Sequence, residues 1–163
     1  MVVANRLPWP PRIRAQLPEA EVHAIGPDPP PALRALERPG SGIRITGRVP
    51  DIPVALSSAS VVVVPLRLGG GTRLKILEAL ALGLPVVSTS IGAEGLDLEP
   101  GKHLVVADAP GAFAAEVVSL RRDPMRGQRP GASGRDAVCR RYDWSIIERR
   151  IEALVPARDP LKA

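Results

Sequence analysis

Aromatic side chains are scarce in this sequence, and their scarcity argues against one large class of partners. The 163 residues include two Trp, one Tyr and one Phe. Proteins that bind single-stranded nucleic acids or RNA loops stack bases on aromatic rings, which are almost missing here. The 22 Lys and Arg exceed the 17 Asp and Glu by five, and residues 121–150 alone carry that excess. We therefore predict no nucleic-acid partner.

Cysteine and long apolar runs are equally scarce. The single Cys139 cannot form a disulfide within the chain, so we interpret it as an ordinary helix residue. No apolar run reaches the roughly 18 residues that a membrane-spanning helix needs. The prolines at the N-terminus, Pro8, Pro10 and Pro11, leave no apolar signal-peptide core. The expected location is the cytoplasm.

Short apolar segments alternate with helical segments along the first two thirds of the chain. The later strand segments are runs of β-branched residues without polar alternation, which is typical of strands covered on both faces. Strands that alternate with helices at this spacing predict an α/β fold, a Rossmann-like doubly wound parallel sheet. The predicted strands are Glu21–Ile25, Ile43–Thr46, Val61–Val64, Pro85–Thr89 and Leu104–Val106, and Asp51 is the predicted N-cap of a helix.

The length favours a single domain followed by helices that belong to it. Three C-terminal helices are predicted near 110–122, 131–141 and 144–154, with the Pro- and Gly-rich stretch 124–131 as a loop. Their Arg-rich faces are most simply solvated surface, and the inner face of an anionic membrane is a candidate partner. The predicted division is an irregular N-terminus at 1–10, an α/β domain at 11–108, its C-terminal helices at 109–155 and a frayed tail at 156–163.

Residues 61–95 contain the candidate ligand-binding residues of the chain. They are predicted to form a buried strand, a glycine-rich turn at Gly69–Gly71, a helix and a second buried strand. Thr72, Lys75 and Glu78 recur every three residues and form one polar strip on that helix. Arg73 lies off the strip and is expected to be either solvated or near the rim of the cleft. Free N–H groups at the turn and the positive end of the helix dipole suit an anion.

The order of these motifs resembles a known family. The segments ITGRVPD, VVVVPLRLGGGTRLKILEALALGLPVVSTSIGAEGL, GKHLVVADAPGAFAAEVVSLRRDP and YDWS together resemble the C-terminal, donor-binding domain of GT-B glycosyltransferases of the family-4, retaining type. The resemblance covers about Pro11 to Ile151. It implies transfer of a hexosyl group from a nucleoside diphosphate sugar to a saccharide or lipid-linked acceptor with retention, in polysaccharide biosynthesis, without a cofactor or metal.

The resemblance also implies the residues that hold the donor. The diphosphate would bind at Gly69, Gly70, Gly71 and Thr72, and Glu78 would accept hydrogen bonds from the ribose hydroxyls. Lys75, one of few lysines in an Arg-rich chain, suits a phosphate as a compact charge. Backbone groups of Arg48 and Val49 would face the base, and Gly92 and Glu94 would line the cleft. Simpler alternatives stay open, namely an i, i+3 ion pair between Lys75 and Glu78 and a capping role for Glu94.

The sequence departs from the family pattern in ways that bear on catalysis. Gly70 stands eight residues before Glu78, where the family has a second acid, so no catalytic residue is assigned. We find no acceptor domain, no basic phosphate pair and no first βα unit, and we expect an N-terminally truncated donor-binding half that needs a separate acceptor domain or chain. A non-catalytic nucleotide-sugar-binding subunit is the alternative. A sugar-nucleotide epimerase is disfavoured, because His23 and His103, the two histidines, lie at strand positions that suggest structural roles.

Overall fold

The computed structural model describes residues 8–69 and 71–154, so the predictions for residues 1–7, Gly70 and the tail 156–163 lie outside the described residues. The elements are α1 (Pro10–Arg14), β1 (Val22–Ile25), α2 (Pro31–Arg34), β2 (Ile43–Thr46), α3 (Ile52–Leu56), β3 (Val62–Val64), α4 (Leu74–Ala81), β4 (Val86–Ser88), α5 (Ser90–Ala93), β5 (Val105–Val106), α6 (Pro110–Arg122), α7 (Pro124–Tyr142) and α8 (Trp144–Leu154). The order confirms the predicted α/β alternation.

All strand pairs are parallel, but the strands form two sheets. β1 pairs with β2, and β3, β4 and β5 form a second sheet with β4 at its centre. Within 8–69 and 71–154, no backbone hydrogen bond joins β1 to β3. The parallel strands agree with the predicted incomplete, doubly wound fold, and among the described residues the sheet is divided into these two parts.

Helices cover both faces of the three-stranded sheet, as the unalternating apolar strands predict. One core cluster joins Ile13 of α1 and Phe113 of α6 to Val87 of β4. The other joins Leu80 of α4 to Val86 of β4, and it also contains Val138 of α7. Since neighbouring residues on a strand point to opposite faces, Val86 and Val87 enter separate clusters.

The helix α7 corrects the predicted loop at 124–131. The helix starts at Pro124, where Asp123 accepts a hydrogen bond from the backbone N–H of Arg126 at 3.1 Å, and it runs through Pro130. Its glycines serve close packing instead of a turn. A Cβ at Gly131 would overlap the carbonyl oxygen of Gly83, and one at Gly134 would lie 2.7 Å from that of His103. Tertiary contact overrides the low helix propensity of these residues.

Local capping explains two further boundaries. Asp51 accepts a hydrogen bond from the N–H of Val54 at 2.9 Å, which confirms the predicted N-cap of α3. The loop predicted after β4 instead contains the single helical turn α5, because Thr89 caps it by accepting from the N–H of Gly92 at 3.0 Å. Among the described residues, each helix is too short or too polar to cross a membrane.

Candidate functional site

The carboxyl ends of β3, β4 and β5 lie side by side because the strands are parallel. Side-chain hydrogen bonds tie the segments that leave these ends. The hydroxyl of Thr89, after β4, donates to the carbonyl of Leu66, after β3. The N–H and hydroxyl of Ser90 both donate to Asp108 Oδ1, after β5, at 2.8 and 2.9 Å. The three strand ends therefore form one connected rim.

The glycine-rich turn lies on this rim, between β3 and α4. Gly69 and Gly71 have φ angles of +139° and +87°, in the left-handed region that favours glycine, and both are exposed. α4 begins at Leu74, so Thr72 belongs to the turn and not to the helix as predicted. Thr72 is also exposed. The turn thus presents accessible backbone directly before the first turn of a helix.

Lys75 and Glu78 lie on the exposed side of α4. They are one helical turn apart, while Ile76, Ala79 and Leu80 are buried on the other side. Neither charged residue makes an ion pair within 4.0 Å to any part of the chain that the structure describes, so the alternative of an i, i+3 pair between them is not formed. Both charges are accessible to a ligand beside the glycine-rich turn.

Arg73 is the residue of the site whose burial sequence reasoning missed. It lies in the rim, one of its two expected positions, but it is only 5% exposed and therefore not solvated. Its Nη2 donates to the carbonyl oxygen of Gly69 at 3.0 Å and to that of Ile91 at 2.9 Å, and it lies 3.9 Å from Glu94 Oε2. Its burial depends on where α5 folds, which no local sequence pattern reveals. Arg73 joins the glycine-rich turn to α5.

Gly92 and Glu94 lie at different depths in the rim. Gly92 is buried in α5, and its N–H is already bonded to the Thr89 hydroxyl. An added Cβ would overlap Ser88 Oγ and approach the Val64 carbonyl oxygen to 2.8 Å, so only glycine fits there. Glu94 follows α5, and its side chain is 74% exposed. Gly92 therefore lets α5 pack closely, and Glu94 is the accessible group.

The loop of Arg48 and Val49 lies at the carboxyl end of the other sheet. It follows β2, with Arg48 exposed and Val49 half-buried. Across residues 8–69 and 71–154, no hydrogen bond or ion pair connects this loop to the glycine-rich turn. The structure therefore joins the turn, the start of α4 and α5 in one rim, and it leaves Arg48 and Val49 outside that hydrogen-bonded unit.

His103 is buried next to the three-stranded sheet, and His23 is exposed on β1. The His103 Nδ1 accepts a hydrogen bond from the N–H of Glu99 at 2.9 Å. Burial lowers the pKa of His103, and the cations of Lys102, Arg141 and Arg140 lower it further against the opposing effect of Glu99. Its burial and the bond to Nδ1 favour the neutral imidazole, and His103 lies in the turn before β5 and not at a strand position as predicted.

We expect this histidine to weaken the fold in acid. Because its folded-state pKa is lower than its unfolded value near 6.5, the unfolded chain binds more protons once the pH falls below about 6.5. The free energy of unfolding should therefore decrease as the pH is lowered, and His103→Asn, which keeps an acceptor, should reduce that dependence. Urea unfolding at about pH 7.5 and about pH 5.5 measures this change in the free energy of unfolding. His23→Asn is the exposed control, and equal pH slopes for wild type and His103→Asn would contradict the prediction.

Comparison with known proteins identifies the family of the chain. A family profile described as "Glycosyl transferases group 1" matches residues 8–123. The phosphatidyl-myo-inositol mannosyltransferase of Mycobacterium leprae is 37% identical over 113 residues, which cover 67% of this chain and 30% of that protein. The protein of the same name from Mycobacterium tuberculosis (strain CDC 1551 / Oshkosh) is 31% identical over 151 residues, which cover 86% of this chain and 39% of that protein.

A third relative differs in the acceptor that its name gives. The GDP-mannose-dependent monoacylated alpha-(1-6)-phosphatidylinositol monomannoside mannosyltransferase of Corynebacterium glutamicum is 28% identical over 152 residues, which cover 86% of this chain and 40% of that protein. The chain thus spans between 30% and 40% of the length of these relatives.

Two solved structures share the fold. Anabaena Alr3699/HepE, in complex with UDP and glucose, superposes with a TM-score of 0.74 at 19% identity, covering 90% of this chain and 45% of that one. Sucrose-phosphate synthase from Thermosynechococcus elongatus superposes with a TM-score of 0.75 at 22% identity, covering 91% of this chain and 41% of that one. These likenesses confirm the predicted Rossmann-like fold of GT-B glycosyltransferases.

Proposed function

This chain belongs to the group 1 glycosyl transferases, and from that premise we propose that it forms the donor-binding half of a transferase for nucleoside diphosphate sugars. The transferred group would be a hexosyl unit, the acceptor a saccharide or a lipid-linked molecule, and the anomeric configuration would be retained. Because the chain spans less than half the length of its relatives, donor binding and transfer are separate parts of this proposal.

The observation that carries the proposal is the exposed glycine-rich turn directly before α4. Gly69 and Gly71 adopt backbone conformations that let a ligand approach closely, and the free N–H groups at the start of α4 carry the positive end of its dipole. Lys75 adds an accessible positive charge in the first turn of the same helix. Together these groups suit the two negatively charged phosphates of a nucleoside diphosphate.

The remaining donor contacts follow from the elements around the turn. Glu78 lies one helical turn beyond Lys75, exposed, and its carboxylate can accept hydrogen bonds from two ribose hydroxyls. Glu94 is the accessible group at the end of α5. Arg48 and Val49 stay predictions for the base, as does Gly70 for the diphosphate, since Gly70 lies outside the described residues.

Transfer would break the bond between the sugar C1 and the diphosphate oxygen and form a bond between C1 and the acceptor oxygen, whose proton is lost. Negative charge then grows on the leaving diphosphate. Lys75, the backbone N–H groups of the turn and the dipole of α4 would stabilise that charge more strongly in the transition state than in the ground state. We assign no nucleophile or general base to the described residues.

The names of the relatives indicate which donor to test first. Three of them are mannosyltransferases, and one name specifies GDP-mannose. Two names specify phosphatidylinositol acceptors without further sugars, and the third a phosphatidylinositol monomannoside. GDP-mannose with a phosphatidylinositol acceptor is therefore our first choice, and UDP sugars are the second because Alr3699/HepE was solved with UDP and glucose.

We expect calorimetric titration of the chain with GDP, UDP and ADP to reveal binding of at least one nucleotide. Lys75→Met should weaken that binding roughly tenfold or more, because hydrogen bonds to charged groups contribute about 1.5–3 kcal/mol. Lys102→Met is the matched control, since Lys102 is exposed, lies away from the rim and pairs with Glu99 at 2.9 Å.

Two results would overturn different parts of the proposal. If none of the three nucleotides binds either this chain or a longer protein that contains it, donor binding is excluded. If the nucleotide binds but labelled mannose from GDP-mannose reaches no acceptor in the presence of a GT-B acceptor-binding chain, a non-catalytic nucleotide-sugar-binding subunit is favoured. Contact of the Arg-rich C-terminal helices with an anionic membrane stays a prediction.

A further inference from the structure

Arg73 joins two segments of the rim that the sequence separates. Its Nη2 bonds the carbonyl of Gly69, in the glycine-rich turn, and the carbonyl of Ile91, in α5. The side chain is 6% exposed, and Nη2 lies 3.9 Å from the exposed carboxylate of Glu94. One buried guanidinium therefore holds the turn after β3 against the helical turn after β4.

We propose that Arg73 is a positioning residue for the donor diphosphate, which fixes the glycine-rich turn in its ligand-accepting conformation and adds a buried positive charge beneath it. The proposal rests on the proposed donor site. Gly69 and Gly71 lie in conformations that glycine adopts without strain but does not hold by itself, because glycine has the largest backbone freedom. The bond from Arg73 to the Gly69 carbonyl removes part of that freedom before the ligand arrives, which lowers the entropic cost of binding.

The charge of Arg73 has a second consequence. Arg73 directly precedes Leu74, the first residue of α4, so a cation lies at the positive end of a helix dipole. That end favours negative charge, and the exposed carboxylate of Glu94, 3.9 Å from Nη2, is already one anion beside it. A diphosphate at the turn would be attracted by the guanidinium and the dipole together. Other arginines also donate to backbone carbonyls, but away from the proposed anion site. Arg122, for example, donates to the Gln16 carbonyl at 2.9 Å.

Two substitutions separate the bridging role from the charge. Arg73→Lys keeps the charge, but the shorter lysine side chain does not bring its ammonium to the position of Nη2, which donates to both carbonyls. Arg73→Met removes both contributions. We expect Arg73→Lys to weaken the binding of the nucleoside diphosphate identified for wild type about tenfold, and Arg73→Met more than that. Binding of the corresponding nucleoside, which lacks phosphates, should change little in either variant. Arg122→Lys is the control and should keep wild-type affinity.

Hydrogen exchange tests the bridge without any ligand. In Arg73→Lys, the amides of residues 71–72 and 90–93 should exchange faster than in wild type, whereas the amides of α6 should be unchanged. Wild-type exchange and affinity in a folded Arg73→Lys protein would overturn the proposal, and so would an equal loss of affinity for the nucleoside and its diphosphate. If wild type binds no nucleotide while the exchange effect is present, the proposed function fails and the role of Arg73 in ordering the turn stands.

Discussion

Alanine in place of Gly92 should lower the free energy of unfolding by about 1–3 kcal/mol, the usual cost of forcing extra atoms into a packed interior. The added Cβ would overlap Ser88 Oγ and lie 2.8 Å from the carbonyl oxygen of Val64. That carbonyl belongs to β3, so it cannot move without disturbing the sheet. To relieve the contact, α5 must shift outward from the strand ends, and it would take the Arg73 bond to Ile91 with it.

Urea unfolding of Gly92→Ala and of a matched glycine variant measures this effect. Gly111 lies in the exposed first turn of α6, and a Cβ there would come no closer than 3.9 Å to a neighbour, the side chain of Arg12. Gly111→Ala should therefore be neutral or stabilising by up to about 1 kcal/mol through helix propensity. An unchanged urea midpoint for Gly92→Ala would show that α5 does not pack against β3 as described.

Removing the carboxylate of Glu78 should weaken binding of the nucleoside diphosphate by roughly 10- to 100-fold, because each hydrogen bond to a charged group contributes about 1.5–3 kcal/mol. Glu78 is exposed and without an ion pair among the residues that the structure describes, so Glu78→Ala removes no internal contact of that kind. The loss should come from the ribose alone. The 2′,3′-dideoxy analogue should therefore bind wild type and Glu78→Ala with nearly equal affinity.

This comparison of two proteins and two ligands isolates the contact between Glu78 and the ribose. Glu148→Ala serves as the control, since Glu148 is an exposed helical glutamate on α8, away from the rim. If Glu78→Ala weakens the dideoxy analogue as much as the natural nucleotide, Glu78 does not contact the ribose hydroxyls. Thermal melting of the variants verifies that they are folded.

Local sequence patterns were sufficient to predict the positions of residues whose contacts are with their sequence neighbours. Asp51 caps α3 because a carboxylate before a helix bonds an N–H three residues on, and that spacing is visible in the sequence. The β-branched run at Val61–Val64 needs only burial on both sides to become β3. The exposed positions of Lys75 and Glu78 follow from helical periodicity.

Long-range contacts decided the positions that sequence reasoning missed. Arg73 is buried because α5 brings the Ile91 carbonyl to it from 18 residues away, and the periodicity of α4 contains no information about that carbonyl. The short helix α5 depends on both kinds of contact. Thr89 caps it locally, and Asp108 accepts from the N–H of Ser90 across the end of the sheet. Residues that act across strands can be found only when the strand order and loop paths are known.

The glycines of α7 also lower the intrinsic stability of that helix. Gly127, Gly131 and Gly134, together with Pro130, make α7 a weak helix on its own, since glycine costs about 1 kcal/mol and proline about 3 kcal/mol relative to alanine. Docking on α4 compensates for this, through the core that Val138 shares with Leu80. We therefore expect α7 to form together with the elements it packs on, α4 foremost, as one cooperative unit. A ligand bound at the start of α4 would therefore stabilise a helix that it does not touch.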